Sequence, residues 1–183
     1  MKHAVISNPR TGSRELALQL SRDNVEIGYL HFAKSVPSNC LSYEELISCN
    51  GVIHGHWHTI DYLSNQHKLY IKKNYKIHHI VRNHEHRFAS SIIVMHLGNI
   101  NFKRNQIPKF ISKEHVYKYI NRMRPAYNSY LNWKIDYLHC FDDLYNNSSE
   151  ANFQSNTIGI ENYSELSELY YTLIKKENYQ WIF

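Results

Sequence analysis

Short apolar runs bounded by polar turn residues recur along the chain. They occur at His3 to Ile6, Gly51 to His54, Lys76 to Val81 and Ile135 to Cys140. Each run has the length and the branched apolar residues that are typical of a buried strand. The pattern therefore predicts a set of short strands with both faces covered, as in a parallel sheet.

Apolar residues with helical spacing fall between and after these strands. Phe88, Ile92 and Met95 follow one another at spacings of four and three residues, which places them on one helix face. Ser42 and Glu45 have the spacing of a capping box at the start of another helix. The helices that the pattern predicts are Ser13 to about Asp23, Tyr43 to Cys49, His84 to about Leu97, Lys113 to Arg122, Ala126 to Trp133 and a C-terminal helix around Leu166 to Leu173.

The alternation of strands and helices predicts an α/β fold with a central, mostly parallel sheet. The chain has 183 residues, 43% of them apolar and 20% charged, which suits one folded domain over residues 1–183 and excludes a disordered protein. The formal net charge is +5. A modest positive charge favours an anionic partner without selecting its class.

The cysteines and the apolar runs bear on where the protein acts. Cys40, Cys49 and Cys140 are too few and too scattered for a disulfide framework. The longest apolar run, Ser91 to Met95, is far shorter than the roughly 20 residues of a membrane span. We therefore expect a cytoplasmic protein without a membrane span.

The first candidate site is the turn from Asn8 to Arg14, between a strand and a helix. Gly12 permits close backbone approach, Thr11 and Ser13 carry hydroxyls, and Arg10 and Arg14 carry charge. A helix N-terminus favours phosphate or sulfate. The glycine spacing and the lysine of a Walker A loop are missing, and an ordinary strand–helix turn with surface arginines is the alternative.

The second candidate site begins at the end of a predicted strand. Arg82 follows this strand, and Arg87 and Ser90 lie five and eight residues further along the next helix. A charged residue at the carboxyl end of a central strand lies where open α/β sheets bind ligands. A solvated helix start is the alternative interpretation.

The third candidate site is the histidine-rich segment His54-Gly55-His56-Trp57-His58. Histidine suits proton removal from a hydroxyl near neutral pH. Three histidines at alternate positions also suit a metal-dependent hydrolase, because they would share one face of a strand. The aspartate Asp61 comes after the third histidine, unlike the arrangement in the metallo-β-lactamase motif.

Three segments in order resemble the sulfotransferases. Pro9 to Ser13 resembles the 5′-phosphosulfate loop of that family, and Val81-Arg82-Asn83 with Arg87 and Ser90 resembles its 3′-phosphate signature. The segments Tyr130 to Trp133 and Phe141 to Leu144 resemble the helix and the Y-E-D-L segment near the end of these domains. The resemblance extends from residue 3 to about residue 147.

The resemblance implies the three-layer, P-loop-like sulfotransferase fold and the co-substrate 3′-phosphoadenosine-5′-phosphosulfate, without a metal. Arg10, Thr11, Gly12, Ser13 and Arg14 would hold the phosphosulfate. Arg82 and Ser90 would hold the 3′ phosphate. His56 would be the catalytic base, with His58 as the other choice. Arg10 would be the catalytic cation where many members have lysine, and His84 stands where the family usually has proline.

The same resemblance implies an acceptor that is a small molecule or a glycan. The chain is shorter than many sulfotransferases, so we expect it to lack much of their acceptor-binding structure. It would then bind a small acceptor, act as an oligomer or have lost activity. The remaining alternative is a non-enzymatic module that binds anionic polymers. Its basic residues do not cluster on one element, which disfavours nucleic acid; they are Lys72, Lys73, Lys103, Arg104 and Lys109.

Overall fold

The computed structural model describes residues 1–21, 27–30, 40–98, 104–144 and 159–176. Its contacts divide the chain into two compact units. The first unit comprises residues 1–81 and 124–141, and the second comprises 82–123 and 142–183. No helix among the described residues is long and apolar enough to cross a membrane.

The first unit contains a five-stranded, all-parallel sheet in the order β2-β3-β1-β4-β5. This confirms the α/β class and the parallel sheet that the sequence predicts. The central strand is completely buried from Ala4 to Ile6, because helices cover both faces of a parallel sheet. The strands are Lys2–Ser7 (β1), Gly28–Tyr29 (β2), Val52–His56 (β3), Tyr75–Val81 (β4) and Tyr137–Cys140 (β5).

The helices agree with the sequence where apolar spacing is regular. The capping box of Ser42 and Glu45 is present at the start of the second helix. The predicted end of the first helix, near Asp23, lies outside the described residues. The helices are Ser13–Leu20 (α1), Tyr43–Ser48 (α2), Trp57–Ile60 (α3), Asn65–Asn74 (α4), His84–Leu97 (α5), Glu114–Leu131 (α6), Phe141–Leu144 (α7) and Tyr163–Lys176 (α8), with a 3₁₀ turn at Arg104–Gln106.

The prediction of two helices on either side of Pro125 is wrong. The structure has the single helix α6 with Pro125 inside it. Proline removes one helical hydrogen bond and favours a break. Apolar residues at helical spacing continue across the proline from Val116 through Ile120 and Met123 to Ala126, and all of them are buried. Their burial outweighs the local preference for a break.

The second unit packs around the start of α5. Phe88 stacks on Tyr170 of α8, with ring centroids 4.2 Å apart, and meets Tyr119 of α6 edge-on at 5.6 Å. The side chain of Asn162 bonds both backbone groups of Ile111. It thereby ties the segment before α6 to the segment before α8.

Candidate functional site

The carboxyl end of the central strand opens towards β4. The ladder between β1 and β3 continues to the pair Ser7 and His56, whereas the ladder between β1 and β4 stops at Val5 and His78. Beyond that point the Ser7 hydroxyl donates to the Ile80 carbonyl at 2.8 Å and accepts from the Ile80 N–H at 3.1 Å. A side chain therefore replaces the direct backbone pairing and separates the two strands.

This opening lies at a reversal of strand order. In the strand order β2-β3-β1-β4-β5, the strand that follows β1 lies towards one edge of the sheet. The strand that follows β4 lies at the other edge. Open α/β sheets bind ligands at the carboxyl ends of strands where the order reverses in this way. The turn from Asn8 to Gly12 begins at this point and leads into α1.

Two residues of this turn have left-handed backbone conformations. Arg10 has φ 66°, which costs a residue with a side chain about 1–2 kcal/mol. Gly12, the N-cap of α1, has φ 72° and ψ 13°. A left-handed residue followed by right-handed helical residues directs successive N–H groups into one concavity, a common anion site in proteins. Backbone strain of the kind seen at Arg10 clusters at functional sites.

The hydroxyls of Thr11 and Ser13 point into the protein. The Thr11 Oγ1 atom lies 2.8 Å from the Asn8 carbonyl oxygen and 3.1 Å from Ser7 Oγ. Ser13 Oγ lies 2.9 Å from His54 Nε2, and both side chains are buried. These two hydroxyls stabilise the turn. An anion at the turn would therefore be held by backbone N–H groups and by the side chains of Arg10 and Arg14.

His56 has a defined tautomer at the end of β3. Its Nδ1 atom lies 3.2 Å from the carbonyl oxygen of Ser7. Because a carbonyl only accepts hydrogen bonds, Nδ1 carries the proton and the lone pair is on Nε2. The His58 ring stacks on the His56 ring, with centroids 5.6 Å apart and planes 14° apart. In this tautomer, Nε2 of the half-buried His56 is the basic ring nitrogen.

The three histidines of this segment do not share one strand face. β3 ends at His56, and His58 lies in α3. His54 is bonded to Ser13. Among the described residues, no group of three or more His, Cys, Asp or Glu side chains is arranged to hold a metal ion.

Sequence reasoning missed the buried layer below His56. The Trp57 indole donates a hydrogen bond to His79 Nδ1 at 3.0 Å, and that nitrogen lies 3.3 Å from Ser7 Oγ. Trp57 and His79 are at most 1% exposed. The presence of His79 inside the apolar run of β4 was the available signal in the sequence. Its partners Trp57 and Ser7 come from distant segments of the chain.

The second unit contains the other predicted binding residues. Arg82, 5% exposed, directly follows the last residue of β4, and Ser90, 1% exposed, lies two turns into α5. Asn83 caps α5, because its side-chain oxygen accepts from the N–H groups of Glu85 and His86. The helix therefore begins at His84.

Arg87 and His84 are buried in the same unit. Arg87 is 1% exposed, and its Nε donates to the Tyr119 hydroxyl at 3.3 Å. His84 Nε2 bonds the Tyr170 hydroxyl. Burial, with the charge of Arg87, lowers the pKa of His84 to about 4. His84 is therefore neutral at physiological pH and acts as a structural hydrogen-bonding group.

No protein-family model and no curated protein matches this sequence at a significant level.

Proposed function

We propose that the protein is a sulfotransferase that moves a sulfuryl group from 3′-phosphoadenosine-5′-phosphosulfate to a hydroxyl, or an amine, of a small-molecule or glycan acceptor. The observation that carries the proposal is the arrangement around Ser7. Its carbonyl orients His56, and its hydroxyl contacts Thr11 of the adjacent turn. The proposed base and the proposed anion-binding turn therefore both contact Ser7, at the end of β1.

The donor has two separated anionic groups, and the proposal assigns each to its own set of residues. The backbone N–H groups of residues 11–14, with Arg10 and Arg14, bind the 5′ phosphosulfate. Arg82 and Ser90 bind the 3′ phosphate, as the resemblance implies. Charge-assisted bonds of this kind are roughly twice as strong as neutral ones.

The reaction is a displacement at sulfur. The acceptor oxygen attacks sulfur and forms the new S–O bond, while its proton passes to Nε2 of His56. The bond between sulfur and the bridging oxygen of the donor breaks, and its electron pair stays on the 5′ phosphate of the departing nucleotide. Arg10 stays charged throughout, so it stabilises the developing negative charge without donating a proton.

The proposal includes the three-layer, P-loop-like sulfotransferase fold. Its support is the turn that follows the central strand β1 in a five-stranded parallel sheet, together with the three sequence segments that resemble the family. It needs no resident metal.

Transfer of labelled sulfate tests the proposal. The protein is incubated with sulfur-labelled donor and a pool of hydroxylated carbohydrates and small alcohols, and labelled products are separated by mass. We expect His56→Asn to lose at least a hundredfold in rate, because general base catalysis contributes about 10²–10⁴-fold. His96→Asn, which removes an exposed histidine, keeps the parental rate. A parental rate in both His56→Asn and Arg82→Ala contradicts the proposal.

A further inference from the structure

A basic groove of about 400 Å³ lies at the amino end of the sheet. The last turn of α4, the start of β4 and the segment between α6 and β5 form its walls. Lys72, Lys73, Lys76 and Lys134 line it, and Asp136 is the one carboxylate among its described lining residues. In a parallel sheet the amino ends of the strands lie together, and so do the carboxyl ends. This groove therefore lies at the opposite end of the strands from the turn at residues 8–14, which follows the carboxyl end of β1.

The negative charge of Asp136 is already paired with a lysine within the groove. Its Oδ1 lies 3.2 Å from Lys76 Nζ, and its Oδ2 accepts the Ile77 N–H at 2.9 Å. The Ile77 hydrogen bond, followed by the Lys76 contact, lowers the pKa of Asp136. The carboxylate therefore stays ionised and paired, and the groove keeps the charges of the other three lysines.

Lys72 is held in place at the wall. Its Nζ donates to the Asn132 carbonyl at 2.9 Å and lies 4.9 Å from the centre of the Trp133 ring. A lysine near the C-terminus of a helix also stabilises the helix dipole. That role explains Lys72 and Lys73, and the contact with Asp136 explains Lys76 in β4. Neither explains Lys134, which lies between α6 and β5.

We propose that this groove binds a small molecule carrying two or more phosphate groups, at a site separate from the one in the proposed function. Lysine ammonium groups are compact point charges that suit the high charge density of phosphate. The volume is in the range of small-molecule sites. Lys72 covers a face of the Trp133 ring, so this ring offers a poor stacking platform for a nucleic acid base.

Titration of the full chain with inorganic tripolyphosphate at low salt, by calorimetry, tests this site. The variant Lys73→Gln/Lys134→Gln removes two exposed charges that make no hydrogen bond or ion pair among the described contacts. We expect it to weaken tripolyphosphate binding at least tenfold. Lys175→Gln/Lys176→Gln removes the same charge from the end of α8 and leaves the affinity within twofold.

Equal weakening in both lysine pairs means that only net charge matters and overturns the proposal. Unchanged affinity in Lys73→Gln/Lys134→Gln assigns the anion to another surface and also overturns it. Tighter binding of oligothymidylate than of tripolyphosphate identifies a nucleic acid surface and contradicts the proposed ligand. A sulfated disaccharide that binds more tightly than tripolyphosphate contradicts the preference for phosphate. None of these results depends on sulfate transfer.

Discussion

Arg10 is the residue whose backbone conformation the sequence did not reveal. A pattern of Pro, Thr and Gly predicts a turn, in which Gly12 was expected to permit close backbone approach. The pattern gives no sign that the arginine beside them has φ 66°. The chain accepts this strain where the Thr11 hydroxyl and Ser7 fix the turn on both sides.

Two substitutions at Arg10 separate strain from side-chain loss. Arg10→Gly and Arg10→Ala both remove the guanidinium, but glycine adopts the left-handed conformation without steric cost. Relief of about 1–2 kcal/mol is partly offset by the greater freedom of glycine in the unfolded chain. We expect Arg10→Gly to be more stable than Arg10→Ala by about 0.5–1 kcal/mol in urea unfolding. Equal stability would mean that Arg10 is not strained in solution.

The tautomer of His56 is a second property at this scale. Because Nδ1 donates to the Ser7 carbonyl, nitrogen chemical shifts of the neutral ring should show a protonated Nδ1 and an unprotonated Nε2. His96, which is exposed on α5, serves as the reference and should show the mixture of a solvated imidazole. A neutral His56 ring protonated mainly at Nε2 would remove the base from the proposed mechanism.

At the scale of elements, prediction succeeded where burial and local pattern agree. β1, β4 and α5 were found because their apolar residues are continuous or have regular helical spacing. β2 has two residues, and α4 is largely polar with Ile71 as its buried residue, so neither has a readable pattern. α6 was divided at Pro125 because its long-range packing is invisible to a local rule.

A row of three histidines crosses the sheet and links three strands. His3 Nδ1 lies 2.9 Å from His78 Nε2, and His78 Nδ1 lies 2.9 Å from His139 Nε2. Burial, followed by the neighbouring His139 and His3, lowers the pKa of His78 to about 4, although Asp136 acts in the opposite direction. Burial also lowers the pKa values of His3 and His139. The row is therefore neutral in the folded state at pH 7.

Acid should destabilise the protein through this row. The unfolded chain binds a proton at His78 near its ordinary pKa of 6.5, whereas the folded chain binds it near pH 4. The free energy of unfolding therefore has its full contribution from His78 above pH 6.5. This contribution falls by up to about 1.4 kcal/mol per pH unit as the pH drops towards 4. Urea unfolding between pH 7.5 and 4.5 measures this slope. We expect His78→Phe to reduce this slope, while the part contributed by His84, whose pKa burial also lowers to about 4, remains. His96→Gln should leave the slope unchanged, and an unchanged slope in His78→Phe would contradict the assignment.

At the scale of the whole molecule, the sequence indicated the candidate residues but not the contacts between them. Arg10 to Arg14 and the cluster of His54, His56 and His58 were identified from residue types beside predicted strands, and His56 was chosen from that cluster by the resemblance to the sulfotransferases. The contact between His56 and the Ser7 carbonyl depends on the register that pairs Ser7 with His56 across β1 and β3. The pairing of Ser13 with His54 likewise joins segments 41 residues apart. Such register follows from packing of the whole sheet, which a local pattern does not encode.

The most direct test of the central claim is binding of 3′-phosphoadenosine-5′-phosphate, the desulfated donor product, measured by calorimetry. Loss of one charge-assisted phosphate contact costs about 1.5–3 kcal/mol, or about ten- to a hundredfold in affinity. We expect micromolar binding that Arg82→Ala weakens by that factor. Lys118→Ala removes an exposed charge from α6 and should leave the affinity unchanged.

Because Arg82 is buried, thermal unfolding of each variant is measured beside the titration, and Arg82→Lys is included to keep the charge. We predict that a folded Arg82→Lys binds the nucleotide more tightly than Arg82→Ala and less tightly than the parent. Absence of nucleotide binding by the folded parent protein, or equal affinity in the parent and a folded Arg82→Ala, would contradict it.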